Sequence, residues 1–412
     1  NVFSPARAHE RTPVMVWIHG GALVTGESDD YDPVRLVAQG VIVVTINYRL
    51  GALGFLAHSA LAAESAQGAA GNYGLMDQQA ALRWVRRNIR AFGGDPGNVT
   101  IFGESAGGLS VHAQLVSPPA AGLFQRAIVE SGAYMPAQPS LATAEAAGAA
   151  FATRSGCADQ TAACLRALPV ATVLANQAGN TNPTVDGLVL PTSIAPALAG
   201  GAFNHVPVME GTNHDEWRLF VAVTELTTHV PLSAAAYVPA IAATLRVSTA
   251  IATAIAARYP LSAFSSPSVA LSAVGTDAIF ACNAQTAVNA LSRQVATYQY
   301  EFADPDAPMR FLPAVSFPTG AYHAAELQYL FDLPQSPIAS PGLTPDQQRL
   351  SRAMVRYWTQ FARTGTPNSP RTPFWPRADA SRRLQTLAPP TPAATTGFAA
   401  DHQCAFWTVP AV

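Results

Sequence analysis

The sequence contains no lysine; all 24 basic residues are arginine. Charged residues of either sign fill only 12% of the 412 positions and the formal net charge is −2, so there is no basic footprint for nucleic acid. Low charge together with 49% hydrophobic residues excludes a disordered chain and implies a large core. Arginine without lysine, beside abundant alanine, is the pattern of a GC-rich bacterial coding bias. Cysteines are few: Cys157, Cys164, Cys282 and Cys404. None sits in a C-x-x-C pair, which argues against zinc and thioredoxin-like sites, and no metal is expected. Three pairings are possible, and a local Cys157–Cys164 pair would leave Cys282–Cys404 as a long-range clasp. The alternative is four reduced, buried thiols in a cytosolic protein.

Long hydrophobic runs are also missing. Ser233 to Ala257 comes nearest, but Pro239, Arg246 and several hydroxyl residues make it a soluble helix or helices and not a membrane span. The opening NVFSPARAHE has no apolar h-region and no initiating Met, which reads as a trimmed or processed start.

What is present alternates between strand and helix. Val14 to Ile18 and Val41 to Ile46 are apolar runs without alternation, the signature of strands buried on both faces. Asp77 to Ile89 has helical spacing, with Ala80, Leu82, Val85 and Ile89 as the inner face, and Gly93-Gly94-Asp95-Pro96 stops it. Val99 to Phe102 is a buried strand, Leu109 to Leu115 a helix with an apolar face, and Phe124 to Glu130 another strand. This order predicts an α/β protein with a mostly parallel, doubly wound central sheet flanked by helices. Short helices between Pro136 and Asn204 lead to a strand at Val206 to Gly211. Helices then run to about Ser292, a strand follows at Val295 to Phe302, and Pro389 to Thr396 reads as Pro/Thr-rich surface chain. With no repeat and no clean linker, residues 1–412 read as one domain.

Between the strand ending at Phe102 and the following helix lies Gly103-Glu104-Ser105-Ala106-Gly107, a G-x-S-x-G. In a nucleophile elbow the serine occupies a strained strand-to-helix turn, and small neighbours keep the backbones apart. A serine hydroxyl needs a base, normally a histidine held by a carboxylate, and the oxyanion it creates needs preorganised N–H donors. His19-Gly20-Gly21-Ala22, after an upstream strand, matches a glycine-rich oxyanion loop, and Ala106 adds a donor. The downstream histidines are His112, His205, His214, His229, His323 and His402, and spacing alone does not choose among them.

The block GNYGLMDQQAALRWVRRNIRAFGGDPGNVTIFGESAGG, Gly71 to Gly108, resembles the type-B carboxylesterases, the family of cholinesterases and bacterial p-nitrobenzyl esterases. The resemblance continues in VWIHGGA, NYRLGALGFL, ESGAY, GTNHDE, GAYHAAELQYLF and CAFW, nearly the whole chain. It implies the α/β-hydrolase fold and a serine carboxylic-ester hydrolase that works through an acyl-enzyme without a cofactor. Its substrates would be small-molecule esters; oligomeric state is not implied. The implied triad is Ser105, Glu216 and His323, with oxyanion donors at Gly21, Ala22 and Ala106. Ser131 resembles the family's serine near the triad, and Glu104 the acidic neighbour of the nucleophile. The resemblance also implies disulfides Cys157–Cys164 and Cys282–Cys404, hence an oxidising, secreted or periplasmic location. Three departures stand out. Trp217 replaces the glycine of the family's D-E-G, which makes Asp215 the fallback acid. Leu23 stands where an aromatic is common, and the chain reads as lacking the family's N-terminal segment. The other readings weighed are a lipase-like hydrolase of long-chain esters and a non-catalytic binding module of the same fold.

Overall fold

The unalternated apolar runs form strands whose every residue is buried, β2 (Thr12–Ile18) and β3 (Ile42–Ile46). They belong to a computed structural model that describes residues 1–6, 11–339 and 341–407. These residues gather into two units. The first comprises the described residues of Asn1–Asp29 with Gly40–Val208 and Arg293–Ala296, and the second Asp30–Gln39, Met209–Ser292 and those from Thr297 onward.

In the first unit β1 (Val2–Phe3), β2, β3, β4 (Gly94–Glu104) and β5 (Arg126–Glu130) lie in the order β1-β3-β2-β4-β5. The edge strand β1 is antiparallel to β3, and the remaining pairs are parallel. Ile18 is in register with Gly103, and Glu104 with Glu130. The carboxyl ends of β2, β4 and β5 therefore come out side by side, where ligands bind in open α/β sheets.

Helix α1 (Tyr73–Asn88) corrects the expected inner face, because Ala80 is exposed. The buried stripe runs through Leu75, Gln78, Gln79, Leu82 and Val85 to Ile89, the 3-4-3 spacing that Ala80 misses by one position. Its two glutamines tolerate burial because helix α2 (Ala106–Val116) and the chain just beyond it supply partners. Gln78 Nε2 donates to Ser110 Oγ at 3.0 Å, and Gln79 Nε2 to Gln114 Oε1 at 3.0 Å and Ser117 Oγ at 2.9 Å. Helix α2 itself is buried on every residue, where the sequence predicts a single apolar face. The Gly-Gly stop acts as expected, with Gly93 in the left-handed region at φ 83°.

The second unit carries β6 (Val208–Asn213), β7 (Thr297–Phe302), β8 (Leu384–Leu387) and β9 (Ala393–Thr395) in that order, with β7 and β8 parallel. The stretch read as plain surface chain thus contributes a strand, since β9 pairs antiparallel with β8. Its helices include α3 (Arg218–Thr228), α4 (Tyr237–Leu245), α5 (Thr249–Arg258), α6 (Pro267–Gly275), α7 (Cys282–Leu291) and α8 (Pro345–Thr364). The Ala-rich stretch becomes α4 and α5, bent by 112° where Arg246 turns left-handed. Among the described residues no single helix is long and apolar enough to cross a membrane.

Candidate active site

Ser105 joins β4 to α2 at φ 54° and ψ −119°, a conformation that costs a non-glycine residue roughly 1–3 kcal/mol. The surroundings hold it there. Its N–H donates to the Glu130 carbonyl at 2.9 Å, and its carbonyl accepts from Leu109 N at 2.8 Å. The flanking glycines answer to the neighbouring strand, because a Cβ on Gly107 would fall 1.9 Å from the Ile18 carbonyl oxygen and one on Gly103 2.6 Å from it. Strand β2 can lie this close only to bare backbone.

Where β2 ends, Gly21, Ala22 and Leu23 take φ values of 97°, 54° and 61° in succession. The Gly21 carbonyl accepts from the N–H groups of Val24 and Thr25, each at 3.0 Å, which closes the loop on itself. Among the described residues no backbone carbonyl accepts from the N–H of Gly21 or Ala22. Ala106 is the first residue of α2, so its N–H belongs to the unpaired, electropositive end of a buried helix. Gly20 brings this loop against the elbow: a Cβ there would meet the Glu104 carbonyl at 2.9 Å and Ser105 Cβ at 3.3 Å. A serine hydroxyl and a set of backbone donors therefore share one end of the first unit. Glu104 and Ser131 are buried beside them, with Ser131 at φ 50° and its Oγ without a hydrogen-bond partner among the described residues.

In the second unit Glu216 and His323 come together across 107 residues, with His323 Nδ1 2.5 Å from Glu216 Oε2 and both side chains buried. The other carboxylate oxygen accepts from Thr212 Oγ1 at 2.7 Å and from Asn213 N at 2.8 Å, which fixes the carboxylate plane. Thr212 and Asn213 escape the sequence reading, although they lie in the same GTNHDE run. So does Glu326, the acid three residues after His323 in GAYHAAELQYLF. Asn213 Nδ2 donates to the Tyr322 carbonyl at 2.8 Å and to Glu326, tying the end of β6 to the loop that carries His323. Rings of Phe220 and Phe280 lie 5.2 and 5.0 Å from the His323 ring.

Asp215, the fallback acid, does other work. Its carboxylate accepts from Ala321 N at 3.0 Å and pairs with Arg218 at 2.8 Å. Trp217 adopts ordinary helical angles, φ −75° and ψ −6°, so the position needs no glycine. The indole instead fills the space over Gly275, where a Cβ would meet its Cγ at 2.2 Å.

Of the other candidate histidines, His402 also sits on carboxylates, but on both ring nitrogens. Nδ1 is 2.6 Å from Asp277 Oδ1 and Nε2 2.7 Å from Glu301 Oε1. A ring clamped in this way has no lone pair to accept a substrate proton. Burial by itself lowers its pKa, but the hydrogen bonds and charges of Asp277 and Glu301 outweigh that and push it up to about 10. Burial pushes the Asp277 carboxyl upward, against the pull of His402 and Tyr259; facing two carboxylates, His402 stays charged at neutral pH. Below the unfolded histidine value of about 6.5 both states hold the proton and the contribution is complete. Between there and about 10 the native state binds more protons than the unfolded one, so stability falls as pH rises. Urea midpoints from pH 6 to 10 should decline, and the decline should flatten in His402→Gln; parallel curves would contradict the assignment.

Both expected disulfides are present, Cys157–Cys164 and Cys282–Cys404, with Cα atoms 5.6 and 5.1 Å apart.

Comparison with known proteins adds a family match. A family described as "Carboxylesterase family" matches residues 1–407. The chain is similar to the para-nitrobenzyl esterase of Bacillus subtilis (strain 168), 36% identical over 386 residues, which cover 90% of this chain and 74% of the relative. It is also similar to acylcarnitine hydrolase of Mus musculus, 35% identical over 404 residues (92% and 69%). Carboxylesterase 1C of Rattus norvegicus is 34% identical over 429 residues (99% and 75%).

Proposed function

Because the chain belongs to the carboxylesterase family, we propose that Ser105, His323 and Glu216 form the catalytic triad of its ester hydrolysis. The α/β-hydrolase fold and the activity, hydrolysis of small-molecule carboxylic esters, come with that membership. In the proposed mechanism Ser105 Oγ attacks the ester carbonyl carbon while His323 takes its proton. Glu216 holds the imidazole through Nδ1 and stabilises the imidazolium. The N–H groups of Gly21, Ala22 and Ala106 receive the oxyanion as it develops. His323 then hands the proton to the leaving alkoxide, leaving an acyl-enzyme. Water, deprotonated by the same imidazole, attacks the acyl carbon, and the acid departs as Ser105 regains its proton. Glu104 and Ser131 line the proposed machinery and tune its polarity.

The observation that carries this reading is the buried Glu216–His323 pair, with one carboxylate oxygen on the imidazole and the other on two donors. The match of one family to residues 1–407 supports reading the chain as one α/β-hydrolase domain. Two disulfides support an oxidising compartment, secreted or periplasmic, and the arginine-only composition supports a bacterial source.

The test is hydrolysis of p-nitrophenyl esters from acetate to laurate by the chain and by its Ser105→Ala variant. Rapid turnover with a chain-length optimum is expected from the parent, and from the variant a rate lower by about 10⁴-fold or more. Equal rates from the two proteins would overturn the triad.

A further inference from the structure

Between α6 and α7 the helix opens into one π-type stretch, Thr276–Ala281. Such wide turns interrupt the regular ladder and recur at functional sites. Four side chains on or just after this stretch reach in different directions. Thr276 Oγ1 accepts from Trp217 N at 3.0 Å, one residue from Glu216. Phe280 lies 5.0 Å from the His323 ring and 6.2 Å from the Trp217 ring. Asp277 faces away from these, accepting from Tyr259 OH at 2.7 Å and holding His402. Cys282, where α7 begins, carries the disulfide to Cys404.

His402 belongs to the C-terminal segment but bridges two inner elements, the π stretch through Asp277 and β7 through Glu301. Its own carbonyl lies 3.3 Å from Cys282 Sγ. The disulfide alone would tether this segment. A buried imidazolium between two carboxylates does something a tether does not: it fixes the rotation of the Asp277 turn, because both ring nitrogens must stay in line with their acceptors. Phe280 follows Asp277 by three residues on the same wide turn, so that rotation sets how its ring meets His323.

Resting on the triad reading above, we infer that His402 is a positioning residue for ester hydrolysis: through Asp277 it holds the π stretch that presses Phe280 against His323 and supports the backbone beside Glu216. It touches no substrate. Its effect should therefore fall on kcat and leave KM nearly alone, since a misaimed imidazole affects proton transfer and not the binding of the ester.

The experiment measures kcat and KM for p-nitrophenyl acetate in the full, disulfide-intact chain, well below each variant's melting temperature. His402→Gln is expected to lower kcat by about tenfold or more, with KM within about twofold. Trp407→Phe is the control. It removes the 2.7 Å hydrogen bond from Trp407 Nε1, in the same segment as His402, to Tyr259 OH while leaving both contacts of His402 with Asp277 and Glu301 intact, and should lower stability while leaving kcat in place. Phe280→Leu should lower kcat on its own, and adding His402→Gln to it should cost little more, because the two act along one path. Should His402→Gln fail to fold, Glu301→Gln carries the same test, with a smaller loss in the same direction. An unchanged kcat, a loss equal to that of Trp407→Phe, or full additivity with Phe280→Leu overturns the inference. Failure of the underlying reading looks different: Ser105→Ala would then keep the parent rate whatever His402 does.

Discussion

Ser105→Ala is expected to lower kcat by about 10⁴- to 10⁶-fold while KM and stability barely move. The substitution is clean for a structural reason. Ser105 is already held at φ 54° and ψ −119°, and alanine keeps the Cβ that makes that conformation costly. Strain is therefore the same in both proteins, and so are the backbone hydrogen bonds to Glu130 and from Leu109. What disappears is the hydroxyl. The backbone donors of Gly21, Ala22 and Ala106 remain and should sustain a residual rate above that of water, as they do when other triads lose their nucleophile. Single-turnover measurements with p-nitrophenyl acetate check both halves: the burst of p-nitrophenol should vanish, and urea midpoints should coincide. A loss of less than about tenfold would remove Ser105 from the chemistry, because a true nucleophile cannot be replaced that cheaply.

Removing the Cys282–Cys404 bond as Cys282→Ala/Cys404→Ala is expected to be the largest stability effect of a modest change, on the order of 2–5 kcal/mol. The bond spans 122 residues. Closing so long a loop removes much of the freedom of the unfolded chain, about 5 kcal/mol in the chain-entropy model. The same change at Cys157–Cys164, which spans 7 residues, should cost about half as much, near 2.5 kcal/mol. The two losses bear on different units, so urea unfolding followed by two probes should separate them. Hydrogen exchange in Cys282–Leu291 reports on the neighbourhood of the long bond, whereas hydrogen exchange in Leu141–Arg154 reports on the short one. Equal losses from the two double variants would show that loop length does not govern the stabilisation.

Much of the first unit is legible in the sequence. The β2 and β3 runs are short and rich in β-branched residues, which favours strands buried on both faces, and the elbow announces itself because a strained turn needs its small residues contiguous in sequence. The helix opening at Tyr73 shows where that legibility weakens. Its period is clear, but hydropathy places Ala80 on the inner face, whereas Gln78 and Gln79 are the buried residues there. Their burial depends on Ser110, Gln114 and Ser117, partners on a neighbouring element that periodicity does not see. The same holds for β9, where exposed Ala-Ala-Thr becomes a strand only because β8 offers it a free edge. Helix α8 carries local signals of its own, since Thr344 and Gln347 form a capping box and Gly365 ends it in the left-handed region.

By itself the sequence determined the α/β class, the strand-turn-helix that carries Ser105 and the glycine-rich loop beside it. Each is a local pattern in which the steric requirement and the residues that meet it are neighbours in the chain. The family resemblance implies the pairing of His323 with Glu216; tertiary structure supplies the contacts that each histidine and acid makes. Both His323 and His402 sit on carboxylates, His323 on Glu216 through Nδ1 and His402 on Asp277 and Glu301 through both ring nitrogens. Asp215 and Glu216 are adjacent in sequence, yet one braces a loop and the other meets the imidazole. Hydrogen bonds of this kind form between groups more than 100 residues apart and differ by ångströms and angles. Only the folded backbone fixes those quantities.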